Sequence, residues 1–230
     1  MTAHLDIDVI VFDILGTMVD EPGGLGRGVR ALLPDIDDAR TAALVAVWHG
    51  YVEEQQREML AGRRPYADSV VIDREAAARV AAEAGVDGEE GIRLLAASAQ
   101  RLEPWADSVA GLGRIASRFP VVGLSNASRS ALTRINAHAG LRWHQALSAE
   151  DARGYKPHPD VYRLAIANAG CPPERLLMVA AHAWDLRGAR AVGMRTAYVE
   201  RPVGDPPGAA DSFDLEVRSL DELAAGLGVT

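Results

Sequence analysis

The chain has 230 residues, 48% of them hydrophobic, and a formal net charge of −8. That length holds one ordinary core, or one core with a smaller appended domain, and the acidic balance offers no basic face for nucleic acid. No apolar run approaches the about 20 residues that would span a bilayer, and a single cysteine, Cys171, cannot form an internal disulfide. The opening MTAHLDIDVIV lacks the basic stretch and small-residue cleavage site of a secretory leader, so a reducing cytoplasm is the expected setting.

Taken in chain order, IDVIVFD (7–13) reads as a buried strand of parallel type, because its apolar residues run continuously instead of alternating. Residues 21 to about 104 then read as helices only: DARTAALVAVWHGYVEEQQREML, DREAAARVAAEAG and GEEGIRLLAASAQRL. FPVVGLSN (119–126) returns to a strand pattern. SRSALTRINAHAGL (128–141) is helical behind a Ser cap, and HPDVYRLAIANAG (158–170) is a helix ending in glycine. RLLMVAAH (175–182) and MRTAYVE (194–200) are further strands, PVGDPPGAADS (202–212) is a loop, and FDLEV (213–217) with LDELAAGLG (220–228) closes the chain. Strands alternating with helices predict an α/β protein with a Rossmann-like parallel sheet. The expected division is a core of 1–20 and 105–230 and a small all-helical cap domain, 21–104, inserted after the first strand.

In open parallel sheets ligands bind beyond the carboxyl ends of the strands. Asp13 ends the first strand, Ser125 and Asn126 end the next, and His182 and Asp185 follow RLLMVAAH. Lys156 is expected to open the helix just before that strand. Of the 24 basic residues all but Lys156 are arginine; arginine is a broad fork and lysine a compact point charge, so the exception suggests a buried site that accepts only an ammonium. Read singly, Asp13 fits a turn or helix cap, Ser125 and Asn126 fit a cap, and His182 a satisfied loop histidine. Together they converge on one edge of the sheet.

FDILGT, GLSNAS, YKPHPD and VAAHAWDLRGAR resemble, in order, the four motifs of the haloacid dehalogenase superfamily, and the resemblance covers nearly the whole chain. It is nearest to the (S)-2-haloacid dehalogenase branch. The resemblance implies a metal-independent hydrolase without a cofactor, acting on a small anionic 2-haloalkanoic acid: Asp13 displaces halide, and water then attacks the resulting ester to give a 2-hydroxy acid. Lys156 is the implied cation that keeps Asp13 charged, since a cation within about 4–6 Å lowers a carboxyl pKa by about 1–3 units. Thr17 and Ser125 would hold Asp13 or the substrate carboxylate, and Asp185 would position Lys156 or the water. Asn126, His182, Trp184 and Tyr162 complete the implied site, Tyr162 behind the lysine. The resemblance also implies a homodimer.

The sequence departs from the family in four places. Leu15 stands where the superfamily's phosphatases carry a proton-donating Asp and the dehalogenases an aromatic; leucine can donate no proton, and the remaining acids make a poor magnesium site. His49 stands near the position of a halide-withdrawing arginine, with Arg57, Arg63 and Arg64 close by as substitutes. Ala180 replaces a serine, and His182 an asparagine. The competing readings are therefore a magnesium-dependent phosphatase, a hydrolase with another small substrate, and a catalytically weak homologue.

Overall fold

The computed structural model describes residues 5–229, so positions 1–4 and 230 of the expected core lie outside the described residues. Six strands form one parallel sheet: β1 (Val9–Phe12), β2 (Val121–Ser125), β3 (Gln145–Ser148), β4 (Leu176–Ala180), β5 (Arg195–Val199) and β6 (Leu215–Val217), in the order β3-β2-β1-β4-β5-β6. The chain winds from β1 outward to β3 and then crosses to the far side of β1. β1 and β4 therefore flank the point where the winding reverses, the place in such sheets where a crevice opens beyond the strand ends. Their register sets Val9 beside Leu176 and Phe12 beside Val179.

Alternation along the strands divides the core into two layers. Ile10, Phe12, Leu177 and Val179 face helices α5 (Ser108–Ala116), α6 (Arg129–Ala139) and α9 (Leu220–Gly226). Val9, Val11, Leu176, Met178 and Ala180 face α7 (Pro159–Ala169) and α8 (Ala183–Ala191). Apolar residues on both faces explain the unbroken hydrophobic runs of β1 and β4.

Of the five helices between β1 and β2, four precede α5: α1 (Glu21–Leu32), α2 (Asp38–Leu60), α3 (Ser69–Ala84) and α4 (Glu89–Ser98). They share a third apolar cluster of their own, centred on Leu25, Leu44, Trp48, Ala76, Val80 and Leu95. Their starts are written in the sequence. Asp20, Asp37 and Asp68 each accept a backbone N–H of the first turn, from Gly23, Arg40 and Val71, and Gly85 ends α3 in the left-handed conformation.

The structure differs from the sequence expectation in three places, the first being α5, for which no helix was expected. β3 was not anticipated: it is a short edge strand whose first two residues are exposed, so it carries no continuous apolar run. Lys156 does not open a helix. His158 caps α7, its ring accepting the N–H of Asp160 at 3.3 Å, and Lys156 lies in the preceding turn, where its own N–H is held by Asn126 Oδ1 at 2.8 Å. Among the described residues no helix is long and apolar enough to cross a membrane.

Candidate active site

Asp13 directly follows β1, and its N–H donates to Val179 O at 2.9 Å, extending the ladder by one bond. The chain then turns sharply through Gly16, at φ 76°. A Cβ there would lie 2.7 Å from His182 Nε2, so only glycine permits both the backbone conformation and the close approach of the imidazole. The turn returns Thr17 beneath the carboxylate. Thr17 Oγ1 donates to Asp13 Oδ2 at 2.6 Å and accepts the N–H of Ala181 at 2.9 Å, binding the ends of β1 and β4 together through one hydroxyl.

The other carboxylate oxygen, Asp13 Oδ1, accepts from Lys156 Nζ at 2.8 Å, and the same ammonium donates to Asp185 Oδ2 at 2.8 Å. Asp185, in the first turn of α8, also accepts the Tyr162 hydroxyl at 2.7 Å through Oδ1. The side chains of Asp13, Lys156 and Asp185 are 8%, 1% and 0% exposed. Burial alone would lower the lysine pKa, but the charges of Asp13 and Asp185 outweigh it and hold Lys156 above its ordinary value, so it stays an ammonium. Burial, opposed by Lys156, raises the Asp185 carboxyl, and burial beside Asp185 raises the Tyr162 phenol, which therefore remains a donor. One ammonium between two carboxylates leaves the group with net negative charge, and only Asp13 opens onto solvent-reachable space.

That space is a cavity of about 560 Å³. Asp13, Leu15, His49, Asn126, His182 and Trp184 of the sequence-derived site all line it, as do Glu21, Glu53 and Asp205. His182 Nε2 lies 3.1 Å from Leu15 O and 3.9 Å from Asp13 Oδ2, and its ring stacks on Trp184 with centroids 5.7 Å apart. The wall behind the turn is pinned by Arg201, whose Nε donates to Thr17 O at 2.9 Å while its guanidinium pairs with Asp107 at 2.8 Å.

Several expectations need correction. Ser125 makes no hydrogen bond to Asp13; it is buried, and its hydroxyl oxygen accepts the N–H of Ala127 at 3.1 Å, a local turn bond. Neither Arg63 nor Arg64 substitutes at the cavity: Arg63 pairs with Glu58 and Arg64 with Glu75, and Arg57 is also outside the lining. Glu21, Glu53 and Asp205 escaped the sequence reading. Glu21 follows the capping residue of α1 and Glu53 is one of several acids on α2, ordinary positions for solvated charge; Asp205 sits in the Pro/Gly loop. The one available signal was Glu53, four residues after His49 and hence on the same helix face.

The site can be set beside known proteins. The model of a haloacid dehalogenase-like hydrolase family matches residues 7–193. An (S)-2-haloacid dehalogenase of Pseudomonas putida is 30% identical over 228 residues, covering 95% of this chain and 96% of the relative. A crystal structure of an L-2-haloacid dehalogenase superposes with TM-score 0.88 at 28% identity, covering 97% of this chain and 100% of the other. The L-2-haloacid dehalogenase from Xanthobacter autotrophicus with chloropropionic acid covalently bound is similar at TM-score 0.82 and 26% identity, covering 95% and 97%. Sheet order, the Asp13–Lys156–Asp185 chain and these similarities agree: the protein belongs to the haloacid dehalogenase-like hydrolases.

Proposed function

We propose that this chain is a metal-independent dehalogenase that displaces halide from a small 2-haloalkanoic acid through an ester on Asp13 and releases a 2-hydroxy acid. One observation carries the reading: a buried ammonium lies 2.8 Å from both Asp13 and Asp185. It fills the space between two carboxylates in which a divalent ion would otherwise be held, and it pairs directly with the buried Asp13 carboxylate.

In the first step an Asp13 oxygen bonds to the halogen-bearing carbon while the carbon–halogen bond breaks and the electron pair leaves with the halide. No proton is required, which suits a site with Leu15 where a proton donor would stand. In the second step water adds to the Asp13 carboxyl carbon, the ester's alkyl oxygen departs and takes a proton from the water, and the second proton goes to solvent. Thr17 and Lys156 hold the carboxylate in place and stabilise charge on its oxygens during that addition. Asn126 steadies Lys156 through its backbone, Tyr162 steadies Asp185, and Trp184 with His182 forms a wall of the substrate space. Residues 21–104 act as a cap domain whose helices exclude water from the displacement. The reading includes a homodimer, which the family resemblance supports, and a cytoplasmic setting, which the single cysteine supports.

The test is halide release from (S)-2-chloropropionate in the presence of EDTA, with a single turnover run in ¹⁸O-water. The expected product of that first turnover carries unlabelled oxygen, because it leaves with an Asp13 oxygen, while the label enters Asp13; Asp13→Asn releases no halide. Labelled hydroxyl in the first product would overturn the ester mechanism. Loss of activity with EDTA would overturn its independence of metal.

A further inference from the structure

Beside the catalytic cavity lies a crevice of about 40 Å³. The two spaces have Leu15, Glu21, Val52, Gln56 and Asn126 in common, so the crevice adjoins the cavity along these side chains. A cavity needs roughly 10–15 Å³ to admit one water, so this one admits a group of about two heavy atoms and no second ligand. Its other walls are of two kinds. Trp48, Ile72 and Ile135 are apolar. Asp73 of α3 stands between the crevice and an outer cleft lined by Arg74 and Arg134.

Asp73 has no partner to explain it. Among the described residues it gains neither a hydrogen bond nor a cation, and burial, with repulsion from Glu21 and Asp68, favours its protonated form. The neighbouring polar groups are already engaged: Ser69 Oγ accepts the Ser128 N–H at 2.9 Å, and the Tyr155 hydroxyl donates to Ala67 O at 2.8 Å. A polar group withdrawn from water without a partner costs free energy that a ligand can return.

We propose that this crevice receives the side chain of the substrate, and that Gln56 and Asp73 select a 2-haloalkanoic acid bearing a hydroxyl on its third carbon. The inference rests on the dehalogenase reading and adds to it the polar class of the substrate. The apolar walls take the methylene, while the hydroxyl accepts a hydrogen bond from the Asp73 carboxyl and donates one to the Gln56 amide oxygen. An ethyl tail of the same size leaves Asp73 unpaired. A carboxylate tail is repelled by Glu21, and an ammonium loses its water among apolar walls. The hydroxyl takes no part in the bond changes, which are those of the two steps above, and the product is a 2,3-dihydroxy acid.

The test compares kcat/KM for chloride release from (S)-2-chloro-3-hydroxypropanoate and (S)-2-chlorobutanoate, its equal in heavy atoms, at neutral pH against an enzyme-free control. (S)-2-chloro-3-aminopropanoate supplies the cationic arm. In the unaltered protein the hydroxy acid is expected to lead chlorobutanoate by about tenfold or more. Asp73→Leu, close in size but unable to hydrogen-bond, should bring the ratio to about one or below, and Asp73→Asn, which keeps a donor and an acceptor, should retain a lead of about threefold or more. A merely structural effect of Asp73→Leu slows both substrates together and leaves their ratio unchanged. If Asp73→Leu does not fold, the ratios in the unaltered protein and in Asp73→Asn decide. Equal rates for the pair in the unaltered protein, a preference for the amino acid, or an undiminished ratio in Asp73→Leu overturns this proposal alone, and so does chloride release from (S)-2-chloropropionate with none from these three. No chloride release from any of the four overturns the dehalogenase reading and the proposal with it.

Discussion

At the scale of single residues, the site depends on one ammonium satisfying two buried carboxylates. Removing it leaves Asp13 and Asp185 facing each other uncompensated, so Lys156→Met is expected to lower stability by about 3–5 kcal/mol at neutral pH, the usual cost of breaking a buried ion pair, and to abolish halide release. The loss should shrink as acid protonates the carboxylates. In the unaltered protein the sign runs the other way. The folded-state pKa of Lys156 is raised above 10.5, so its stabilisation is fully present below that pH and disappears as pH climbs through the folded value. Denaturant unfolding of both proteins at acid, neutral and alkaline pH checks both statements; a Lys156→Met protein as stable as its parent at neutrality would contradict them. This part of the site was legible in the sequence because it needs residue types that stand out: an acid ending an apolar strand and the only lysine in the chain. Ser125 was ambiguous for a related reason. A serine at a strand end serves a local turn or a distant carboxylate equally well, and only the geometry shows that its oxygen holds the Ala127 N–H.

At the scale of elements, the glycines in the helices explain where the sequence was hardest to read. α1 carries glycines at 23, 24, 26 and 28, a pattern of low helix propensity. At two of them side chains from elsewhere in the fold press in: a Cβ at Gly24 would lie 2.3 Å from Leu102 Cδ2, and one at Gly28 would lie 2.5 Å from Ser98 Cβ. Gly50, in the middle of α2, has nothing within 4 Å of such a Cβ. The same substitution should therefore have opposite signs. Gly50→Ala gains helix propensity and is expected to stabilise by about 0.5–1 kcal/mol, whereas Gly28→Ala overpacks the α1–α4 contact and should cost about 1–3 kcal/mol. Chemical denaturation of the two variants side by side measures this, and a stabilising Gly28→Ala would show that the helices separate at no cost. α2, by contrast, was legible over its whole length, Asp38–Leu60, because an acidic cap and a long helical pattern agree at every turn. β3 was not, because an edge strand needs few apolar residues and its hydrogen bonds to β2 leave no trace in composition.

At the scale of the whole molecule, the sequence indicated which strand ends meet but not what the inserted helices bring to them. Glu21, His49 and Glu53 reach the cavity through the packing of α1 and α2 around Trp48 and Leu25, a tertiary arrangement that no local pattern encodes. The same packing leaves a second crevice, about 40 Å³, where α3 meets the core. Ser69 Oγ accepts the Ser128 N–H at 2.9 Å on one side, and the Tyr155 hydroxyl donates to Ala67 O at 2.8 Å on the other. Between them Asp73, partly open to the crevice, lies deep enough that burial, with repulsion from Glu21 and Asp68, pushes its carboxyl well above the ordinary range. An acid whose folded-state pKa is raised keeps its proton after the unfolded chain has lost one. Its presence therefore costs nothing below about pH 3.8 and costs progressively more as pH rises from there toward the folded value. Asp73→Asn preserves the neutral shape without the charging penalty. It is expected to melt with its parent in acid and above it near neutrality, each kcal/mol gained raising Tm by about 2–4 °C for a chain of this size. Thermal melts at both pH values decide the point: a variant that melts lower at neutral pH would mean that ionised Asp73 holds the inserted helices to the core, as a hydrogen-bond acceptor whose charge is useful to the fold.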